Sequence, residues 1–179
     1  MSPPPAQSPA TATAPRGRRW HVRLAFVRAV MGIFPPFTLN RTRLLALKAC
    51  GLAIGPSTLF WGLPVLKGQG AITSRLAIGS YCGLNEGIEF DLTAPISIGD
   101  HVSVGHEVRF LTRSSAAGAE TAAPITIGDG AWLGARCTIM GGVTIGAGSV
   151  IGAGKTITED VEPNMLVNGG KPVSLARWG

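Results

Sequence analysis

The sequence predicts an all-β chain wound into a parallel β-helix, preceded by short helices. Three observations predict it. Large apolar residues recur every six positions: Ile54, Phe60, Leu66, Ile72, Ile78, Leu84 and Phe90, then Ile98, Val104 and Phe110, then Ile127, Leu133, Ile139, Ile145, Ile151 and Ile157. A glycine commonly follows, as after Ile54, Ile78, Ile98, Val104, Ile127, Leu133, Ile145 and Ile151. Two positions before the apolar residue stands a small or branched one: Cys82, Val102, Val108, Ala131, Cys137, Val143 or Ser149. Neither the helical period of 3.6 nor the strand period of 2 gives a repeat of six. One short strand plus one corner does. The large residue fills the interior, and the glycine is expected to supply the backbone freedom of the turn. Coils stacked at inter-strand spacing then bury a continuous core.

The elements follow in chain order. Residues 1–19 form a Pro/Ala-rich tail with a basic end, and their composition predicts disorder. Residues 20–50 read as helical. Trp20, Leu24, Val27 and Met31 fall at helical spacing beside Arg23 and Arg28, up to Pro35-Pro36, and RTRLLALKAC predicts a second short helix ending near Gly51. These basic amphipathic helices suit two roles. They can dock on anionic lipid, or pack on the scaffold's end or a partner subunit. Residues 51–167 carry the repeat, with an insertion at 112–124, and 168–179 form a C-terminal tail.

Composition agrees with one turn-dense domain. Of 179 residues 25 are glycine, and only 15% are charged. The net charge of +6 gathers towards the front, at Arg16, Arg18, Arg19, Arg23, Arg28, Arg41, Arg43 and Lys48. No stacking platform or nucleic-acid motif accompanies it, so a nucleic-acid partner is not expected. The three cysteines, Cys50, Cys82 and Cys137, form no CxxC and read as reduced thiols in a cytoplasmic protein. Cys137 holds a small core position of the repeat, where packing is its simplest role. No apolar run reaches the length of a spanning helix. RGRRW is not read as a twin-arginine signal, because Arg23 and Arg28 break the apolar stretch behind it.

The rhythm stops once, in VRFLTRSSAAGAETAAPITIG, Val108 to Gly128. A regular scaffold interrupted once is where function is sought. Yet the insertion holds no His or Cys and a single acid, Glu120.

The segments NRTRLLALKACGLAIG, GLNEGIEFD, APISIGDHVSVGHEV, PITIGDGAWLGARCTIMGGVTIGAGSVIGAG and DVEPNMLVNGGKP together resemble the hexapeptide-repeat acyltransferases. The resemblance runs from about Phe37 to Val173. It is to the branch that O-acetylates sugars and polysaccharide precursors, such as the maltose, galactoside and nodulation-factor acetyltransferases. It implies a left-handed β-helix, a homotrimer, and acetyl-CoA as co-substrate in the groove between subunits, with no metal. The acceptor is then a small molecule or glycan. Asn85 and Asp91 match positions that line the acceptor pocket, where an amide and a carboxylate can bond sugar hydroxyls. Both residue types also suit corner turns. Trp132 matches an aromatic near donor and acceptor; its other reading is an outward cap on the coil. Ala135 and Ala153 match small positions beside the pantetheine arm. Thr158 and the GGKP turn, Gly169 to Pro172, match the end of the coenzyme groove.

Three positions depart from the family pattern. Where relatives carry T-x-x-H, with the His as general base, this chain reads Thr112-Arg113-Ser114-Ser115. Ser115 therefore stands at the base position. Glu159 and Ser174 replace basic residues that face coenzyme phosphates; Lys155, Lys171 and Arg177 are the nearby cations that can compensate. His106, in VGHEV, is either a substitute base at a coil corner or a structural corner residue. Three readings follow. The chain is an O-acetyltransferase working by direct transfer, a catalytically inactive trimer that binds or scaffolds, or an enzyme moved to a different reaction. As an enzyme of this branch it is expected in the cytoplasm, or peripherally at the inner membrane face.

Overall fold

The computed structural model describes residues 25, 27, 29, 30, 40–116, 119–169 and 171–175. The readings made on residues 1–24, on Arg28, Met31 and Pro35-Pro36, and on Arg177 lie outside them. Helix α1, Asn40–Ala49, is the second expected helix. It ends at Gly51, whose φ is +90°, with the Gly51 N–H donating to Lys48 O at 2.8 Å. α1 packs on the first coil and buries Arg43 and Leu47. An Arg43 Nη donates to Trp61 O at 3.3 Å. This basic helix thus packs on the scaffold's end. No helix among the described residues is long and apolar enough to cross a membrane.

The rest is a β-helix with three parallel faces. The first stacks β1 (Ala53–Ile54), β4 (Leu76–Ile78), β7 (Ile96–Ile98), β12 (Ile125–Ile127) and β15 (Thr144–Ile145). The second stacks β2 (Leu59–Phe60), β5 (Gly83–Leu84), β8 (Ser103–Val104), β13 (Trp132–Leu133), β16 (Val150–Ile151) and β18 (Met165–Val167). Here β19 (Val173–Ser174) turns back antiparallel on β18, so the expected C-terminal tail contributes a strand. The third stacks β3 (Val65–Lys67), β6 (Glu89–Asp91), β9 (Arg109–Leu111), β14 (Thr138–Met140) and β17 (Thr156–Ile157). The hexad residues fill the interior. Ile54, Ile78, Ile98, Ile127 and Ile145 stack under the first face; Phe60, Leu84, Val104, Leu133 and Ile151 stack under the second. Phe90 and Phe110 stack under the third, with ring centroids 4.9 Å apart. Ile72 is buried but lies in a 3-10 turn, Ile72–Arg75, rather than in a strand as its phase predicts.

The glycines work differently from the expectation. Gly105 and Gly134 do not have positive φ. They are glycines because the next coil passes close: a Cβ on either would meet the nitrogen of Ala135 or Ala153, respectively, at 2.6 Å. The left-handed backbone instead falls two residues later, at Glu107 and Arg136, or at Tyr81 and His101 on another corner. Gly134→Ala should therefore cost about 1–3 kcal/mol through overpacking. The expected result is a lowered thermal unfolding midpoint with unchanged circular dichroism at low temperature.

The small positions also do more than pack. Thr58 Oγ1 donates to Gly79 O at 2.7 Å, and Ser149 Oγ to Glu162 O at 2.7 Å. The Cys82 and Cys137 thiols likewise donate, to Gly99 O and Gly152 O at 3.1 and 3.0 Å. Each joins one coil to the corner of the next. Burial pushes both thiols up, away from thiolate, as suits structural rather than reactive cysteines.

Candidate functional site

Coil length decides where the site lies. Ala53 pairs with Ala77, Ala77 with Ser97, Ser97 with Thr126, and Thr126 with Thr144. The last step is three hexads with nothing added. The earlier steps are longer, and the added residues, within 68–75, 92–95 and 112–124, all fall where the third face passes back to the first. The interruption noticed in the sequence is thus the largest of three stacked insertions at one corner.

The insertion is an antiparallel hairpin of β10 (Arg113–Ala116) and β11 (Ala119–Ala122). Its register makes Ser115 the cross-strand partner of Glu120, its single acid. The base of the hairpin is fastened to the coils. Ala123 N–H donates to Thr112 O at 3.0 Å. The buried Thr112 hydroxyl donates to Asp91 O at 2.7 Å and accepts Ala94 N–H at 3.1 Å.

Asp91 is the centre of this fastening, although it is only 4% exposed. Its Oδ1 accepts the Thr93 hydroxyl at 2.7 Å and the Thr93 N–H at 3.2 Å. Its Oδ2 accepts Arg113 Nε at 3.0 Å. Burial alone pushes the carboxyl up, but the Thr93 hydroxyl, the Arg113 guanidinium and the Thr93 amide together outweigh it. The carboxyl is held below its ordinary value and stays ionised. Arg113, Thr93 and Thr112 were not singled out in the sequence as side chains of a site. The available signal was that Thr93 and Arg113 flank departures from the period, opposite an acid already singled out.

The other sequence candidates gather elsewhere. Where the second face passes to the third, successive corners begin at Asn85, Gly105, Gly134 and Gly152, each bonded to the coil beyond. This stacks Asn85, His106, Ala135 and Ala153 on one corner. Asn85 Nδ2 donates to Val104 O at 3.2 Å, a corner bond of the structural kind. His106 is exposed, and its carbonyl accepts Arg136 N–H at 2.9 Å. Lys155 follows Ala153 on this corner, and its Nζ lies against Gly169: a Cβ there would meet it at 3.0 Å. That brings together two predicted parts of the coenzyme groove. Thr158 and Lys171 are both exposed. Trp132 projects from the second face, 58% exposed, between Ser103 and Val150.

Within the chain, then, Asn85 and His106 stand at one end of the third face, and Asp91 and the Ser115 hairpin at the other. No group of three or more His, Cys, Asp or Glu among the described residues could hold a metal ion.

Comparison with known proteins adds to this geometry. Residues 124–159 match the family profile of the bacterial transferase hexapeptide (six repeats). The chain is 39% identical over 107 residues to galactoside O-acetyltransferase of Escherichia coli strain K12, covering 54% of this chain and 51% of that protein. It is 32% identical over 126 residues to chloramphenicol acetyltransferase of Agrobacterium fabrum, covering 63% and 55%. It thus spans about half the length of these curated relatives. Among solved structures, a galactoside acetyltransferase in complex with coenzyme A superposes with a TM-score of 0.68 and 26% identity, over 86% of this chain and 78% of that one. A hexapeptide-repeat acetyltransferase from Vibrio cholerae complexed with acetyl coenzyme A gives 0.63 and 25%, over 86% and 84%.

Proposed function

We propose that this β-helix, whose residues 124–159 match the bacterial transferase hexapeptide profile, is an acetyl-CoA-dependent O-acetyltransferase acting on a sugar, polysaccharide precursor or hydroxylated small molecule. The observation that carries the arrangement is the division of the candidates between two corners. Ala135, Ala153 and Lys155 mark a donor groove at one corner, and the Ser115 hairpin leaves from another. A complete site then forms where the hairpin of one copy meets the donor corner of the next, in a homotrimer. Asn85 and Trp132 border the acceptor, while Asp91, buried behind Arg113, positions the hairpin side of that cleft. Lys155 and Lys171, with the turn at Gly169, take the coenzyme's phosphates; Thr158 closes the groove.

The reaction is direct transfer in a ternary complex. An acceptor hydroxyl oxygen attacks the thioester carbonyl, the carbon–sulfur bond breaks, and the hydroxyl proton ends on the departing sulfur, so that coenzyme A leaves as the thiol. Backbone N–H groups at the corners stabilise the oxyanion. Ser115 has no basicity near neutral pH, so transfer rests on positioning and oxyanion stabilisation, with His106 of the donor corner as the candidate substitute base.

Calorimetric titration with coenzyme A tests the proposal. Binding with a dissociation constant below 1 mM is expected, weakened several-fold in Lys155→Ala. No binding at millimolar coenzyme would remove every donor-dependent reading and leave a scaffold trimer.

A further inference from the structure

The corner that collects the insertions encloses a cavity of about 400 Å³, lined by Gly68, Gln69, Arg75, Thr93 and Arg113. That is within the usual range for a small-molecule site. Two guanidinium groups line it, and among the described residues no acidic one does. One Nη of Arg75 donates to three carbonyls, Gln69 O at 3.3 Å, Leu92 O at 2.9 Å and Thr93 O at 3.2 Å. These bonds hold the guanidinium at the cavity wall. Among the described residues, no carboxylate lies within ion-pair distance of Arg75. Arg113 is 54% exposed at its side chain and pairs with Asp91, which lies behind it. Both guanidinium groups thus line the cavity, and among the described residues Asp91 is the carboxylate paired with either of them.

The geometry points to an anionic acceptor: a sugar or related metabolite bearing a carboxylate or phosphate, seated between Arg75 and Arg113. Planar guanidinium groups recognise such anions through paired, charge-assisted hydrogen bonds. Thr93 and Gln69 supply neutral polar contacts for neighbouring hydroxyls. With its anionic group here, the acceptor lies at the foot of the hairpin that carries Ser115. This assignment rests on the acetyltransferase reading for the word acceptor, but the binding it predicts does not need acetyl transfer.

The test is calorimetric titration of the full chain with galactose, galacturonate, galactose 6-phosphate and inorganic phosphate, repeated at rising salt. At least one anionic sugar should bind ten or more times more tightly than galactose at low salt. The advantage should shrink as salt screens it. Arg113→Gln should reduce the difference below threefold. Asp91→Asn should enlarge it, because it removes the carboxylate that offsets Arg113. A merely structural role for the pair would instead weaken binding in both variants, and that result would overturn the assignment. So would equal binding of the three sugars, or binding of none. Inorganic phosphate bound as tightly as galactose 6-phosphate would make the cavity a free-anion site and reject an acceptor there. The salt dependence of the unmodified protein stands even where a variant fails to fold. Anionic sugars that bind a protein with no affinity for coenzyme A would sink the acetyltransferase reading and leave the cavity's anion preference standing.

Discussion

Ser115→His is expected to accelerate acetyl transfer about 10²–10⁴-fold, the usual contribution of a positioned general base. A serine hydroxyl cannot take the acceptor's proton at neutral pH, whereas an imidazole titrating near 6.5 can. The backbone at this position is already held. Ser115 lies in the paired strand β10, and the hairpin's base is fastened through Thr112 and Asp91. The measurement is release of coenzyme A thiol from acetyl-CoA with a sugar acceptor, followed against pH. The variant should gain a rate that rises through the imidazole range, which the parent lacks. An unchanged rate in a variant that still binds coenzyme A would favour the inactive, scaffolding reading.

Asp91→Ala should have the largest effect on stability, about 2–4 kcal/mol. It removes three hydrogen bonds to a buried carboxylate, one of them the ion pair with Arg113. Half-exposure of Arg113 keeps the figure below that of a fully buried pair. A pH signature separates this role from simple packing. The folded carboxyl sits below its unfolded value, so its stabilisation is complete above about pH 4 and is lost as pH falls through the folded value. The unfolding midpoint of the parent should therefore drop between pH 5 and 2 by more than that of Asp91→Ala. Parallel midpoints over that range would reject the assignment.

Much of the fold was legible along the chain, and the reasons can be named. Ile98, Val104 and Phe110 are each buried on successive faces because six residues make one strand and one corner. That rule is local and repeats. The reason assigned to the glycines was not legible. Gly134 looked like a turn residue, and its need is absence of a Cβ beneath Ala153, which belongs to the next coil. Ile72 kept its phase and its burial while leaving the strand, because the first insertion absorbs it in a 3-10 turn. The site divides in the same way. Asp91 and the Ser115 segment were visible as positions, but not that Asp91 reaches Arg113 rather than open solvent.

By itself the sequence determined the coil, its interior and the one large interruption, because each is set by spacing between near neighbours. Only the tertiary structure decided that three insertions stack on one corner, that Arg75 and Arg113 share a cavity there, and that Asn85 and Asp91 face away to opposite ends of a face. The physical reason is that coils meet through residues far apart in sequence. How many residues each coil takes, summed from one to the next, sets which side chains become neighbours.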